Sequence, residues 1–430
     1  MKIKSKLLVA HLFSLFSLSA AATSLSESYV KALEYSAEVA EKIALEEVGS
    51  AMVLQTESLL GPSVIGSYDY GHEDQQTSLQ KDGNNDWIES FSLMVQMPIY
   101  DSTIQPKIKK RILERNKYLL DTKKVKQALA LDVSKSYFEV LSALQKREML
   151  DSSVALYTKK LDQAVSFLKR GLSSQVDVLR AQAEYDEILS QMSLVESDIK
   201  LAKANFESLV GEPWNDLYVP PEITINSKLP GREKEQVDWL SLASGNIDLK
   251  IAQLEVNIAK TMRKQAEAER LPVVSFEAGY EESDQISSYN RIKDQYGRVT
   301  VEFDFYRGNY FSARSGETRW NLLATEKRMS AVTQKTDQQI RQSWSYWLTV
   351  YEQFSVESSR VESAQKYLEY MLLSEARGLE DLVELYDAQE NLTKAKFSLI
   401  DAYYNSLYAY LELQAQVGKL DDGSLARVPF

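Results

Sequence analysis

The chain has no cysteine, two histidines, and only 9 prolines and 16 glycines among 430 residues. Each shortage excludes something. Without cysteine there is no disulfide, and no residue on which a lipoprotein's anchor could be built. His11 lies in an N-terminal apolar run, which leaves His72, set in an acidic polar loop. No nucleophile or metal-spaced constellation accompanies it, so the chain is expected not to be an enzyme and to use no cofactor or metal. There is no phosphate-cradling glycine motif, so any energy must come from a partner. The scarcity of proline and glycine argues for long unbroken elements. Beyond the N-terminus no run is apolar enough to cross a bilayer as a helix, so membrane insertion would have to use strands.

What is present begins with a secretory signal. Lys2, Lys4 and Lys6 precede the apolar stretch Leu7 to Leu18, and Ala20-Ala21-Ala22 forms a small-residue cleavage site. Formal charge is −12, and losing the three signal lysines leaves −15. Such an acidic balance argues against a nucleic-acid partner and favours cations in any lumen the chain lines.

One pattern occurs twice. Arg170-Gly171-Leu172 is followed by Val176-Asp177-Val178 and Ala181-Gln182; 207 positions later stand Arg377-Gly378-Leu379, Val383-Glu384-Leu385 and Ala388-Gln389. Each copy joins two long stretches without proline or glycine, Lys107 to Arg170 with Leu172 to Val210, and Glu317 to Arg377 with Leu379 to Val417. This predicts a duplicated helical hairpin whose glycine makes the turn, with first-copy helices on the order of 95 and 60 Å long. Ahead of each hairpin lies a helical stretch, Leu25 to Leu59 or Trp239 to Arg270. Two strand-like runs follow each, Ser63 to Tyr70 and Ser90 to Ile99, then Val273 to Tyr280 and Arg298 to Tyr306, each pair separated by a polar loop. The expected division is a signal peptide over 1–22, a first repeat over 23–210, a connector over 211–238, a second repeat over 239–417 and a tail over 418–430.

The helix after each turn carries a seam. Val178, Ala181, Tyr185, Ile188, Met192, Val195, Ile199, Ala202, Phe206 and Leu209 step by three and four, and Leu385, Ala388, Leu392, Ala395, Leu399, Ala402, Ala409 and Leu413 echo them. A sustained 3.5-residue period means coiled-coil packing. The strands alternate instead: Phe91, Leu93, Val95, Met97 and Ile99 against Ser90, Ser92, Met94, Gln96 and Pro98, and Val299, Val301, Phe303 and Phe305 against Arg298, Thr300, Glu302 and Asp304. One greasy and one wet face fits a tilted membrane strand, with Trp87 and Tyr100 at the interface, but equally a sheet packed on a helix. Four strands cannot close a barrel, and an open edge cannot sit in lipid. If the strands are in a membrane, several chains must share one barrel, and three would supply about 12 strands.

With its duplicated order, its Gln96-Met97-Pro98-Ile99-Tyr100-Asp101 strand end, Leu271-Pro272 before a strand, and two Gly-Leu turns, the sequence resembles the TolC family of outer-membrane channel proteins over about Ser24 to Leu420. The resemblance implies a mainly α-helical homotrimer, with a shared 12-stranded barrel in the outer membrane and a helical tunnel in the periplasm. It implies docking onto a periplasmic adaptor (membrane fusion) protein and an inner-membrane pump of RND or ABC type, as the passive exit duct for small-molecule efflux or type I protein secretion. The sequence departs from the family at Ser36-Ala37-Glu38 and Asn246-Ile247-Asp248, where an Asn-Pro is usual, and at Glu375 and Glu380, where the family's Tyr and Arg lock the closed tunnel. A gate here must use other contacts. A periplasmic coiled-coil adaptor is the alternative, although it needs only one hairpin.

The resemblance assigns an acidic, cation-selecting entrance to Glu384 and Asp387, with Asp177 at the corresponding site of the first turn, and adaptor-docking tips to Arg170, Gly171, Leu172, Arg377, Gly378 and Leu379. The local pattern offers a second role. Ser174-x-x-Asp177 and Asp381-x-x-Glu384 both read as capping boxes, whereas Asp387 lies too far along its helix to cap.

Overall fold

The computed structural model describes residues 24–77, 80–214, 222–230, 234–285, 290–376 and 382–428. Two serines organise its start. Ser24 caps α1 (Leu25–Tyr35) by accepting from the Glu27 N–H, and Ser36 ends α1 and caps α2 (Ala37–Glu57) through the Val39 N–H. The single helical stretch expected from Leu25 to Leu59 is therefore broken at Ser36, whose hydroxyl offers the backbone a bond that competes with the helix. A second break divides the stretch expected over Trp239 to Arg270 into α5 (Gln236–Ser241) and α6 (Ile247–Ala268). Between them Gly245 presses on the Val417 backbone so closely that a methyl group there would overlap the Val417 carbonyl oxygen. Asn246 then caps α6 through the Leu249 N–H.

The hairpins form as the pattern predicts. α3 (Ile104–Lys169) has 66 residues and α4 (Gln175–Val210) 36, while α7 (Tyr310–Ala376) has 67 and α8 (Leu382–Gln416) 35. At 1.5 Å per residue the long helices reach about 100 Å and their partners a little over half that. The unmatched length is covered by the preceding helix, since α3 packs on both α4 and α2, and α7 on both α8 and α6. α3 also meets α8, which sets the two hairpins side by side with α4 and α7 at the outside. Every position of the α4 seam is buried or half-buried, and all eight of the α8 seam are buried. A short α9 (Asp422–Leu425) closes the described chain.

The four strands make one antiparallel sheet in the order β1 (Ser63–Thr77), β2 (Gln80–Tyr100), β3 (Val273–Gln285), β4 (Asn290–Glu302). The strands of 15, 21, 13 and 13 residues exceed the expected runs of about 8 to 10, because they run on through most of the stretches taken as polar loops. Where both faces of a strand are wet, alternation disappears and a polar strand reads like a loop. β4 stops at Glu302 rather than Tyr306, and Gly308 then turns the chain toward α7 with φ 57°. Pro98 stands inside β2 with no N–H to give, and the register with β3 shifts there, between Pro98 and Tyr100. Among the described residues no helix is long and apolar enough to cross a membrane.

Candidate functional site

The sheet register sorts its side chains onto two faces. Val95 lies opposite Val64 and Ala278, Leu93 opposite Gly66 and Tyr280, and Phe91 opposite Tyr68 and Glu282, where the apolar band gives way to charge. Met97, Phe276 and Val299 continue that face, and Trp87, stacked on Tyr70 at 5.2 Å, rims one end of it. These large apolar groups have no cover: Val64, Tyr68, Phe91, Leu93 and Val299 are all exposed, between 44% and 66%. The alternate face carries Asp69, Glu277, Glu281, Asp294 and Glu302, with Arg298 clamped at 2.6 Å by Glu277 and resting on the Tyr296 ring. One face fits lipid, the other an acidic aqueous lumen. β1 and β4 each leave one edge unpaired within the chain.

The first hairpin turn is built by helix termination rules. The Leu172 N–H donates to the Phe167 carbonyl at 2.9 Å and the Gly171 N–H to the Leu168 carbonyl at 3.0 Å, with Gly171 at φ 74°. This left-handed close satisfies the last carbonyls of α3. It leaves Arg170, Gly171 and Leu172 exposed at the tip, Leu172 by 71%. Arg377, Gly378 and Leu379 lie outside the described residues, as do Glu380 and Asp381.

The carboxylates of the two turns separate into different roles. Asp177 is a cap: it accepts from the Ser174 N–H and the Ser173 hydroxyl, each at 2.8 Å, while its own N–H donates to the Ser174 hydroxyl at 3.2 Å. Those bonds hold its carboxyl below the usual range. Glu384, in the first turn of α8, and Asp387, one turn on, are both exposed. Asp387 belongs to a cluster the sequence did not disclose. It and Glu390 act across on Glu184 of α4, whose carboxyl is pushed up by burial first, then by Glu390 and Asp387, against the opposing charge of Arg180. Beside them Tyr157 of α3 stacks on Tyr386 of α8, ring centres 5.4 Å apart. Tyr386 and Asp387 are neighbours in sequence, yet nothing local points to residues more than 200 positions away.

A four-stranded sheet with one face for lipid, standing on paired helical hairpins, defines the barrel-and-tunnel class of outer-membrane channels. The chain belongs to the outer membrane efflux protein family, whose profile matches residues 28–212 and 241–419. TolC of Escherichia coli (strain K12) is 23% identical over 315 residues, covering 70% of this chain and 63% of its own length. The chain thus spans just under two thirds of that relative. The alkaline protease secretion protein AprF of Pseudomonas aeruginosa is 23% identical over 429 residues, 95% of this chain and 87% of its own. Among solved structures, the outer membrane protein VceC of Vibrio cholerae superposes with a TM-score of 0.75 at 13% identity, covering 92% of this chain and 96% of VceC. The CusC channel gives 0.77 at 14% identity, covering 92% of each chain.

Proposed function

We propose that three copies of this chain form an outer-membrane export duct, the passive exit of a tripartite system for small-molecule efflux or type I protein secretion. The observation that carries it is the sheet, which has an uncovered apolar face, an acidic opposite face and two unpaired edges. Such a sheet is stable in lipid only when further strands close it, and three copies bring 12. The helices continue the ring below the membrane. Exposed Arg170, Gly171 and Leu172, with Arg377, Gly378 and Leu379 of the second turn, are the surface offered to a periplasmic adaptor. An inner-membrane pump, RND or ABC, supplies the energy. Glu384 and Asp387 of three chains form the cation-selecting entrance, with Asp177 capping α4 beside it. The adaptor alternative gains no support, since the two hairpins and the shared sheet are those of the channel family itself.

The test is electrical. The purified full-length protein should run as an outer-membrane trimer and conduct ions with cation preference in a planar bilayer. Asp387→Ala should lower that preference several-fold with the trimer intact. A soluble monomer would refute the channel, and an unchanged preference would remove Asp387 from the constriction.

A further inference from the structure

The end of the first hairpin has its own small core, in which Leu150 and Tyr157 of α3 pack with Ile188 and Val195 of α4. Tyr386 is the buried α8 residue inserted into it. Its ring lies nearly parallel to that of Tyr157, at 19°, and the two are exposed by only 5% and 2%. Tyr157 stands about 20 Å above the Gly171 turn, counting 1.5 Å per residue along α3. Farther up, the hairpins are joined by polar bonds: Asp401 of α8 meets Lys146 of α3 at 2.6 Å and accepts from the Ser142 hydroxyl at 3.0 Å. Nearer the tips the aromatic stack joins them.

The charges around the stack oppose it. Glu184 faces Asp387 and Glu390 across the two hairpins, with Glu187 adding to the same sign. Glu184, Glu390 and Asp387 all act on the Tyr157 hydroxyl as well. Against these four carboxylates stand Arg180, near Glu184, and Lys394, paired with Glu390. Two buried rings therefore lie between elements that bring carboxylates of like charge toward one another.

We propose that the Tyr157–Tyr386 stack is the latch that keeps the second hairpin's end against the first, and that Glu184, Asp387 and Glu390 drive the two apart when it releases. The inference rests on the channel reading and gives the closed state a lock that does not need the family's usual Tyr and Arg. The sign of its pH response follows from Glu184. Burial and like charges hold its carboxyl above the ordinary value near 4.5 in the latched arrangement. Water reaching it on separation returns it toward that value, so the latched state takes up the proton more readily. Acid favours closure, and the tendency to open grows as pH rises through the carboxylate range.

Single-channel conductance of the reconstituted full-length trimer tests this. A stacked aromatic pair shifts an equilibrium by about two- to tenfold. Tyr386→Ala and Tyr157→Ala should each raise the open fraction at least that much, while Tyr157→Phe, which keeps the ring, stays at the wild-type level. Glu184→Gln should lower the open fraction and flatten its pH profile. If Tyr386→Ala does not assemble, Tyr386→Leu, apolar but without a ring, takes its place. A wild-type trimer that conducts, with an open fraction unmoved by loss of the ring, overturns the latch alone. So does an unchanged pH profile in Glu184→Gln. A wild-type protein that conducts nothing overturns the channel itself.

Discussion

Gly418→Ala offers a severe test of how the two ends of the second repeat are held together. Gly418 ends α8 at φ 68°, with its N–H donating to the Ala415 carbonyl and the Lys419 N–H to the Gln414 carbonyl, each at 2.9 Å. It sits against the backbone of Gly245, and a methyl group there would overlap the Gly245 carbonyl oxygen and come within 2.8 Å of its carbon. The left-handed conformation alone costs a non-glycine residue about 1–2 kcal/mol. The overlap is between backbones, so no side chain can swing away, and the two segments must separate. That separation strains the bond from the Asn246 side-chain amide to the Gln416 carbonyl, now 2.7 Å, which is worth about 1 kcal/mol. With lost packing the total is about 3–5 kcal/mol. For a chain of this length, at about 2 cal/mol/K per residue, that lowers the melting temperature by about 3–6 °C. Thermal unfolding of the solubilised protein, followed by circular dichroism, is the assay. Gly316→Ala is the control: it lies inside α7 with nothing within 4 Å of an added methyl, so it should hold or raise stability by up to about 1 kcal/mol. Gly418→Ala melting with the wild type, or Gly316→Ala falling as far, would refute the reasoning.

Two further outcomes probe the sheet and the tunnel. Leu93→Arg places a charge on the lipid-facing side, where it costs about 2–4 kcal/mol per chain near the bilayer centre, and should sharply reduce trimer in the outer membrane. Ser92→Arg, one residue away on the lumen side, should assemble; if Ser92→Arg is the variant that fails, the faces are reversed. Glu412 on α8 is half-buried, and burial holds its carboxyl above the usual value. A raised folded-state value means the folded protein binds the proton more tightly, so stability declines as pH rises through that range. Glu412→Gln should therefore melt higher than wild type at pH 8, and by a smaller margin at pH 5. An equal difference at both pH values would remove the burial cost as its cause.

What was legible in the sequence was whatever repeats locally. The α4 and α8 seams could be read because each burial recurs every three or four residues, and the sheet faces because Phe91, Leu93, Val95, Met97 and Ile99 take every second position. The breaks at Ser36 and Gly245 were not legible in the same way. Serine inside a helical pattern is ordinary, and Gly245 is required by Val417, which is adjacent only after folding. The strand extensions were lost because polar residues on both faces erase the alternation. In the candidate site, Asp177 and Glu384 look alike as capping-box acids, and the structure was needed to establish the bonds of Asp177. Tyr157 and Tyr386 belong to no local pattern, so their pairing needed the topology that sets α3 beside α8.

The duplication is exact in order but unequal in burial, and that inequality points to how copies join. α8 buries two lines of side chains, the seam and a second one through Tyr386, Ile400, Tyr403, Leu407 and Leu411. α4 buries little beyond its seam and exposes Val176, Leu179, Leu194 and Leu201 by 61–70%. α7 likewise exposes Tyr346, Val356, Tyr367 and Tyr370, spaced as one helical face. In the sheet the unpaired edges are β1 and β4. At both levels, then, one open side belongs to the first repeat and the other to the second. Two copies cannot satisfy such surfaces by facing each other symmetrically, because the open sides differ. They can be satisfied only head to tail, the first repeat of one copy against the second repeat of the next, and such a contact ends in a ring when the rotation closes. In the proposed trimer the same rotation closes the barrel edge and the helical wall together. A substitution such as Leu194→Glu on α4 therefore acts on the barrel as well as on the tunnel, since neither ring can close without the other.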